Sequence, residues 1–426
     1  MHSNWAGLQK DLLGQVLLRL VSSEDYVRFS VVSKSWFCLA KENQRQHISR
    51  CSQPPKLLIT DEENSWKLYD IMNDKVLNMH LRVPNRRFCG SSKGWLIFMD
   101  EMFALNLVNP FSVKLRKNKR ADATIIRLPS VTGKKEWITK CDYYVFKASL
   151  SADPISDPEN SVLTVIYGEY DRLAFIRPSS KDKRWTYVDK RWGTIEEVVY
   201  SRGIIYAVDN RSKLFSYNIN SFSKLELAPD LPWDGFSKRY LALDSNKKEL
   251  WMVKRYIKYI KDKPDFKRRE TIKFKIFKIN LDEHEWTEKE TLGDVALFVG
   301  DNSSVAVVAT DFPGCRSDCI YFTHDYDAIE SRLEPYGPND CGVYDITSRR
   351  VLKPYAEDVE KLLKLTSGRP PIWSDRRRCR TLQRRWSFAV AGSVRQERVE
   401  EYVEARAYGG TTAARQESFV VAGVWA

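Results

Sequence analysis

The sequence predicts a small all-α N-terminal module of three helices followed by an all-β propeller of about six blades, with seven as the alternative, and an arginine-rich tail. Two observations carry that prediction. Near the N-terminus large apolar residues recur every three or four positions, the period that gives a helix one apolar face. From Lys56 to Lys353 the pattern becomes short runs of β-branched and aromatic residues divided by turns rich in Asp, Asn, Gly and Ser.

In the first segment Leu8, Leu12, Leu13, Val16, Leu17 and Leu20 predict one helix, and Tyr26, Phe29, Val32, Trp36 and Leu39 continue the pattern through two shorter pieces. Ser22 or Ser23 is placed to cap the second helix and Ser33 the third, because a short hydroxyl accepts from helix-start amides that lack partners. About 40 residues bury too little surface to fold alone, so part of this apolar set is expected to meet a partner or the neighbouring domain.

The middle of the chain supplies the strands. GWLIFM from Gly94, SVLTVIYG from Ser161, GIIYAVD from Gly203, KLFSYNI from Lys213, ELWMVKRY from Glu249, ALFVG from Ala296 and CIYFT from Cys319 are examples. They fall into a loose repeat of strand, turn, strand, turn, strand, in units of about 40 to 60 residues, the size of a propeller blade. A pair of β-sandwiches is the rival architecture, which the repeat disfavours. Trp137, Trp185, Trp192, Trp251 and Trp286 read as aromatics packing between blades. Asp301, Asn302 and Ser303 read as a structural turn.

The N-terminal arrangement of Trp5, Leu8, Asp11, Leu12, Leu13, Leu17 and Leu20, then Phe29, Val32, Lys34, Ser35 and Trp36, resembles the F-box. Gln9 and Ser33 depart from that family, which favours proline and cysteine there. A second resemblance lies in LGDVALFVGDNSSVAVVATDFPGCRSDCIYFTHD from Leu292 to Asp325, followed by CGVYDITSRRV and by RPPIW at Arg369 to Trp373. This block is similar to the KIB-type β-propeller of plant F-box proteins.

Together the resemblances imply an F-box over residues 3–45, a linker over 46–55 and a propeller over 56–373, with the tail at 374–426. They also imply a substrate receptor of an SCF-type cullin ubiquitin ligase, which binds a Skp-type adaptor and through it cullin, with an unidentified target protein on the propeller. Leu8, Leu12, Leu13, Leu17, Leu20 and Trp36 are the expected adaptor contacts. The alternatives are a helical cap on the propeller core, and a propeller that binds nucleic acid or another acidic partner.

Charge leaves that alternative open. The net charge is +13, and the stretches KRYIKYIKDKPDFKRRETIKFKIFK from Lys254 and KLRKNKR from Lys114 are basic. In the first, alternation with Tyr256, Ile257, Tyr259, Ile260, Phe274, Ile276 and Phe277 predicts two strands joined by a solvated loop around Pro264.

Other classes find no support. The chain has no GxxxxGK[ST], HExxH or GxGxxG motif, its five histidines sit in unrelated contexts, and His284 falls in an exposed turn pattern. A non-catalytic protein without cofactor or metal is expected. The eight cysteines form no CxxC pair and read as reduced thiols, with Cys315 and Cys319 a weak candidate for a shared metal or a disulfide. Without a secretory signal or a long apolar run, an intracellular location in nucleus or cytoplasm is expected. Beyond Trp373 the composition changes: eleven arginines lie between Arg369 and Arg415 and no lysine follows Lys364. That shift predicts a largely disordered tail derived from a shifted reading frame, an alternative exon or a faulty gene model, and the spacing of Val399 and Val403 allows a short helix from Arg395 to Arg406.

Overall fold

The computed structural model describes residues 8–20, 23–50, 54–60, 66–79, 86–116, 119–131, 143–168, 172–188, 193–244, 249–263, 266–280, 283–302, 304–312, 314–325, 340–352 and 371–374. The tail from residue 375 on, Ser22, Ser303, Trp137 and Trp192 lie outside them. The chain divides into two compact units, with the helices before Gln53 in one and the strands in the other.

Three helices form where the apolar period predicts them, α1 (Lys10–Arg19), α2 (Ser23–Ser30) and α3 (Lys34–Arg50), but α3, expected to be shorter than α1, runs on to 17 residues. Their core is Leu13, Leu17, Tyr26, Phe29, Leu39 and Ala40, with Leu8, Leu20, Trp36 and Phe37 packed partly against it. The Trp36 amide donates to Ser33 Oγ at 3.4 Å, so Ser33 caps α3 as expected. At α1 the cap position is Gln9, extended at φ −60° and ψ 143°, with no side-chain hydrogen bond to the helix.

The second unit is a six-bladed propeller, one sheet per blade among the described residues. Blade 1 holds β1 (Lys56–Thr60), β2 (Trp66–Asp70) and β3 (Lys75–Met79). Blade 2 holds β4 (Phe88–Ser92), β5 (Trp95–Met99), β6 (Ala104–Arg116) and β7 (Lys119–Ser130), and blade 3 holds β8 (Val145–Leu150), β9 (Leu163–Tyr167), β10 (Arg172–Ile176) and β11 (Thr186–Tyr187). Blade 4 contains β12 (Ile195–Ser201), β13 (Ile204–Asp209), β14 (Leu214–Asn218) and β15 (Lys224–Ala228). Blade 5 contains β16 (Ser237–Leu243), β17 (Leu250–Lys263), β18 (Phe266–Asn280) and β19 (Glu285–Lys289).

Blade 6 departs from the simple meander. Its strands β20 (Val295–Val299), β21 (Val305–Val308), β22 (Cys319–Phe322), β23 (Gly342–Asp345) and β24 (Arg350–Leu352) lie in the order β21-β20-β22-β23-β24. A 3-10 turn over Ala309–Asp311 and the FPGCRSD segment return the chain so that β22 runs parallel to β20. The last strand, β25 (Ile372–Ser374), pairs with β1 and closes the ring by completing blade 1.

Each blade buries both faces, which explains strands that are apolar throughout rather than alternating. In β1, Leu57 and Ile59 face the core shared with blade 6, whereas Leu58 faces the one shared with blade 2. The same division in β5 sends Trp95, Ile97 and Met99 one way and Leu96 and Phe98 the other. Neighbouring blades approach closely at Gly90, where a Cβ would lie 2.2 Å from the Ala148 carbonyl oxygen, so glycine is required. Trp251 is buried, while Trp185 and Trp286 are half-buried and donate to the Pro129 and Ser212 carbonyls at 3.0 and 2.9 Å.

Candidate docking surfaces and the charged interior

Helix α1 separates its leucines into two roles. Leu13 and Leu17 are only 2% and 4% exposed and form the module's own core, whereas Leu12 is 51% exposed. Val16, one turn from Leu12 on the same side of the helix, is also exposed. Leu8, Leu20 and Trp36 are half-buried, with the Trp36 ring centroid 4.5 Å from that of Phe29. The structure therefore brings Leu8, Leu13, Leu17, Leu20 and Trp36 together in one core and turns Leu12 outward. Val31 and Val32, between α2 and α3, add exposed apolar surface. Val16 is not among the expected contacts because helical spacing alone does not say which flank of a broad apolar stripe is covered, and Val31 lies in a turn that helical periodicity does not describe.

Inside the propeller, charged side chains cross between blades. Arg87 pairs with Asp301, and Lys147 approaches Glu197 at 2.5 Å and the Gly300 carbonyl at 3.2 Å. Ser304 Oγ donates to the same Glu197 carboxylate at 2.6 Å. A second cluster surrounds Arg255, which lies 3.0 Å from Asp325 and 2.9 Å from Asp340 and donates to Thr271 Oγ1 at 2.8 Å. Tyr240 donates its hydroxyl proton to Asp325. Burial opposes the charge on Arg255, but Tyr240, Asp340 and Asp325 outweigh it and raise its pKa above the ordinary value.

These charges pair with one another and tie blades together. They are structural locks, and they give Asp301 a partner that a turn reading of the sequence omitted. The thiols are likewise subdued: burial pushes Cys315 and Cys319 up to about 11 and Cys341 up to about 12, leaving little thiolate near neutral pH. Cys315 and Cys319 are both free thiols. His284 sits in the exposed turn that its sequence context predicted, at a left-handed φ of 57°.

The outer surface is different in character. The β17–β18 ribbon predicted from alternation forms, pairing from Trp251↔Lys278 out to Lys263↔Phe266. In the segment joining β15 to β16, Trp233 and Phe236 are 78% and 84% exposed. Among the described residues, no helix is long and apolar enough to cross a membrane.

The KIB1-4 β-propeller family profile matches residues 68–345. F-box protein At2g17036 of Arabidopsis thaliana is 26% identical over 416 residues, covering 87% of this chain and 94% of the relative. F-box protein At2g26160 of the same plant is 23% identical over 339 residues, covering 75% and 95%. F-box protein SKIP23, also from Arabidopsis thaliana, is 24% identical over 412 residues, covering 87% and 95%. Among solved structures, a chain of the mitotic checkpoint complex matches with a TM-score of 0.32 and 11% identity over 62% of this chain and 67% of that one, too slight an overlap to carry an argument.

Proposed function

This chain belongs to the KIB1-4 β-propeller family as a plant F-box protein, and from that premise we propose that it is the substrate receptor of an SCF-type cullin ubiquitin ligase. The helical module docks on a Skp-type adaptor, and the propeller holds a target protein. Receptors of this kind raise the effective concentration of target lysines beside a charged conjugating enzyme, and need no reacting group of their own. Such a role is exercised in the nucleus or the cytoplasm.

The observation that carries this reading is the division within α1. A module that buries Leu13 and Leu17 but leaves Leu12 and Val16 in water has an apolar flank that folding does not use. Leu12 and Val16 are the direct adaptor contacts in this reading, with Leu8 and Leu20 at their border. Leu13, Leu17 and Trp36 fix the shape that presents them.

Co-purification tests the proposal. The full-length protein is expected to retain a Skp-type adaptor, and a Leu12→Asp, Val16→Asp variant is expected to lose it while keeping its helical circular-dichroism signal. Failure of the wild type to retain the adaptor, or equal retention by the variant, overturns the reading.

A further inference from the structure

The segment joining β15 to β16 is pinned at its ends while its two largest apolar side chains stand in water. Leu231 donates its amide to the Arg211 carbonyl at 3.1 Å and packs against the core between blades 4 and 5. Asp234 accepts from Lys254 Nζ at 2.6 Å and from the Tyr256 hydroxyl, with Lys275 Nζ 3.5 Å away. Gly235, at φ 116°, makes a bend that side chains resist. The Ser237 carbonyl accepts from Arg239 at 2.6 Å. Between these anchors Trp233 and Phe236 meet edge to face, with ring centroids 6.2 Å apart and planes at 84°. Exposing both rings costs hydrophobic free energy without serving the fold, and rigid exposed aromatics are the usual anchors of protein interfaces.

The surroundings specify charge. Strand β16 begins at Ser237, paired with Tyr256, whereas β17 and β18 continue past that register to Lys263↔Phe266. The paired ribbon therefore projects beyond β16 at the edge where Phe236 lies. Its sequence from Ile257 to Thr271 carries six lysines and arginines against three acidic residues. Lys258 and Lys273 are exposed at its base, together with Ile272.

We propose that this edge of blade 5 is the target-binding surface, and that it takes an acidic protein segment carrying an aromatic or aliphatic anchor residue. The proposal rests on the receptor reading, since a receptor requires a surface that holds its target. The anchor seats against Trp233 and Phe236, and the acidic flanks face the cationic ribbon. Rings set at right angles form a notch for one apolar side chain, whereas nucleic-acid strands use aromatic faces on which successive bases stack. Acidic residues interspersed through the ribbon further disfavour a continuous phosphate backbone.

The test pans a random phage-displayed peptide library against the full-length protein, with a labelled single-stranded oligonucleotide titrated in parallel. Selected peptides are expected to be rich in Asp and Glu around a Trp, Phe or Leu. They are expected to lose affinity by roughly tenfold or more on Trp233→Ala, Phe236→Ala, and also to weaken on Lys258→Glu. Both aromatics are exposed, so an unchanged melting temperature should accompany the loss. Absence of enrichment, selection of basic peptides, undiminished binding by the aromatic variant, or tighter binding of the oligonucleotide overturns the proposal. Adaptor co-purification on the same samples keeps the two readings separate: peptide binding without adaptor binding sinks the receptor reading and leaves this surface standing, and adaptor binding without peptide binding does the reverse.

Discussion

Arg87 reaches one carboxylate oxygen of Asp301 with both Nε, at 3.1 Å, and Nη2, at 2.7 Å, joining positions 214 residues apart. The same guanidinium donates to the Val145 and Phe146 carbonyls at 2.9 and 2.8 Å, so one side chain links blades 2, 3 and 6. Burial opposes its charge, but Asp301 outweighs that effect and raises the Arg87 pKa. Removing one partner leaves the other buried and uncompensated. Asp301→Ala is therefore expected to cost about 3–5 kcal/mol in urea unfolding, with a smaller loss in Arg87→Leu, Asp301→Leu. A single variant as stable as wild type would show that the pair is no lock.

The two faces of α1 are expected to respond differently to substitution. Leu17→Ala removes a side chain from the core it shares with Tyr26 and Phe29, and should cost about 2–5 kcal/mol, enough to unfold so small a unit. Leu12→Asp, on the exposed flank, should leave helical circular dichroism unchanged while weakening adaptor binding. Equal loss of helix in both variants contradicts the division.

The blades were legible in the sequence because two-sided burial writes strands as continuous apolar runs, as in WLIFM from Trp95. The three helices were legible from the spacing of large apolar residues, leucines in α1 and mainly aromatics in α2 and α3. Blade 6 was less so: nothing local to FPGCRSD announces that β22 will pair in parallel with β20. Leu12 and Leu13 look alike in sequence, and only packing assigns one to water and the other to the core. Arg87 and Asp301 likewise carry no mark of each other, since their contact depends on the ring closing.

Closure depends on Trp373, which is fully buried, donates its indole N–H to the Val299 carbonyl at 3.0 Å and meets the Phe298 ring edge-on at 5.1 Å. It is the one large aromatic of β25, a strand of three residues, so little else on that strand holds it to blade 6. Trp373→Ala should cost about 3–5 kcal/mol and speed proteolysis of blade 1. Unchanged cleavage there would indicate that the ring closes by other contacts.

Gln9 is a position where substitution should help. Its φ of −60° matches the value a proline ring imposes, and Gln9 offers α1 no side-chain cap. Gln9→Pro is expected to stabilise the start of α1 by about 0.4–1 kcal/mol by restricting the unfolded chain. Slower hydrogen exchange across Lys10–Arg19 is the measurement, and faster exchange would show that proline strains the entry.

Asp234 supplies the pH dependence. Burial alone would raise its pKa, but the hydrogen bonds from Lys254 and Tyr256 and the charges of Lys254 and Lys275 outweigh it and lower the value from 3.8 to about 2. A depressed carboxylate stabilises the fold fully above its unfolded pKa, and that stabilisation disappears as pH falls through the folded one. Wild type should therefore exceed Asp234→Asn in urea midpoint near neutral pH, with the gap closing between about 3.8 and about 2. Because Asp234 also anchors the segment that carries Trp233 and Phe236, peptide affinity should fall over the same interval. A midpoint gap that persists undiminished below about 2 would place the stabilisation elsewhere than in the Asp234 charge.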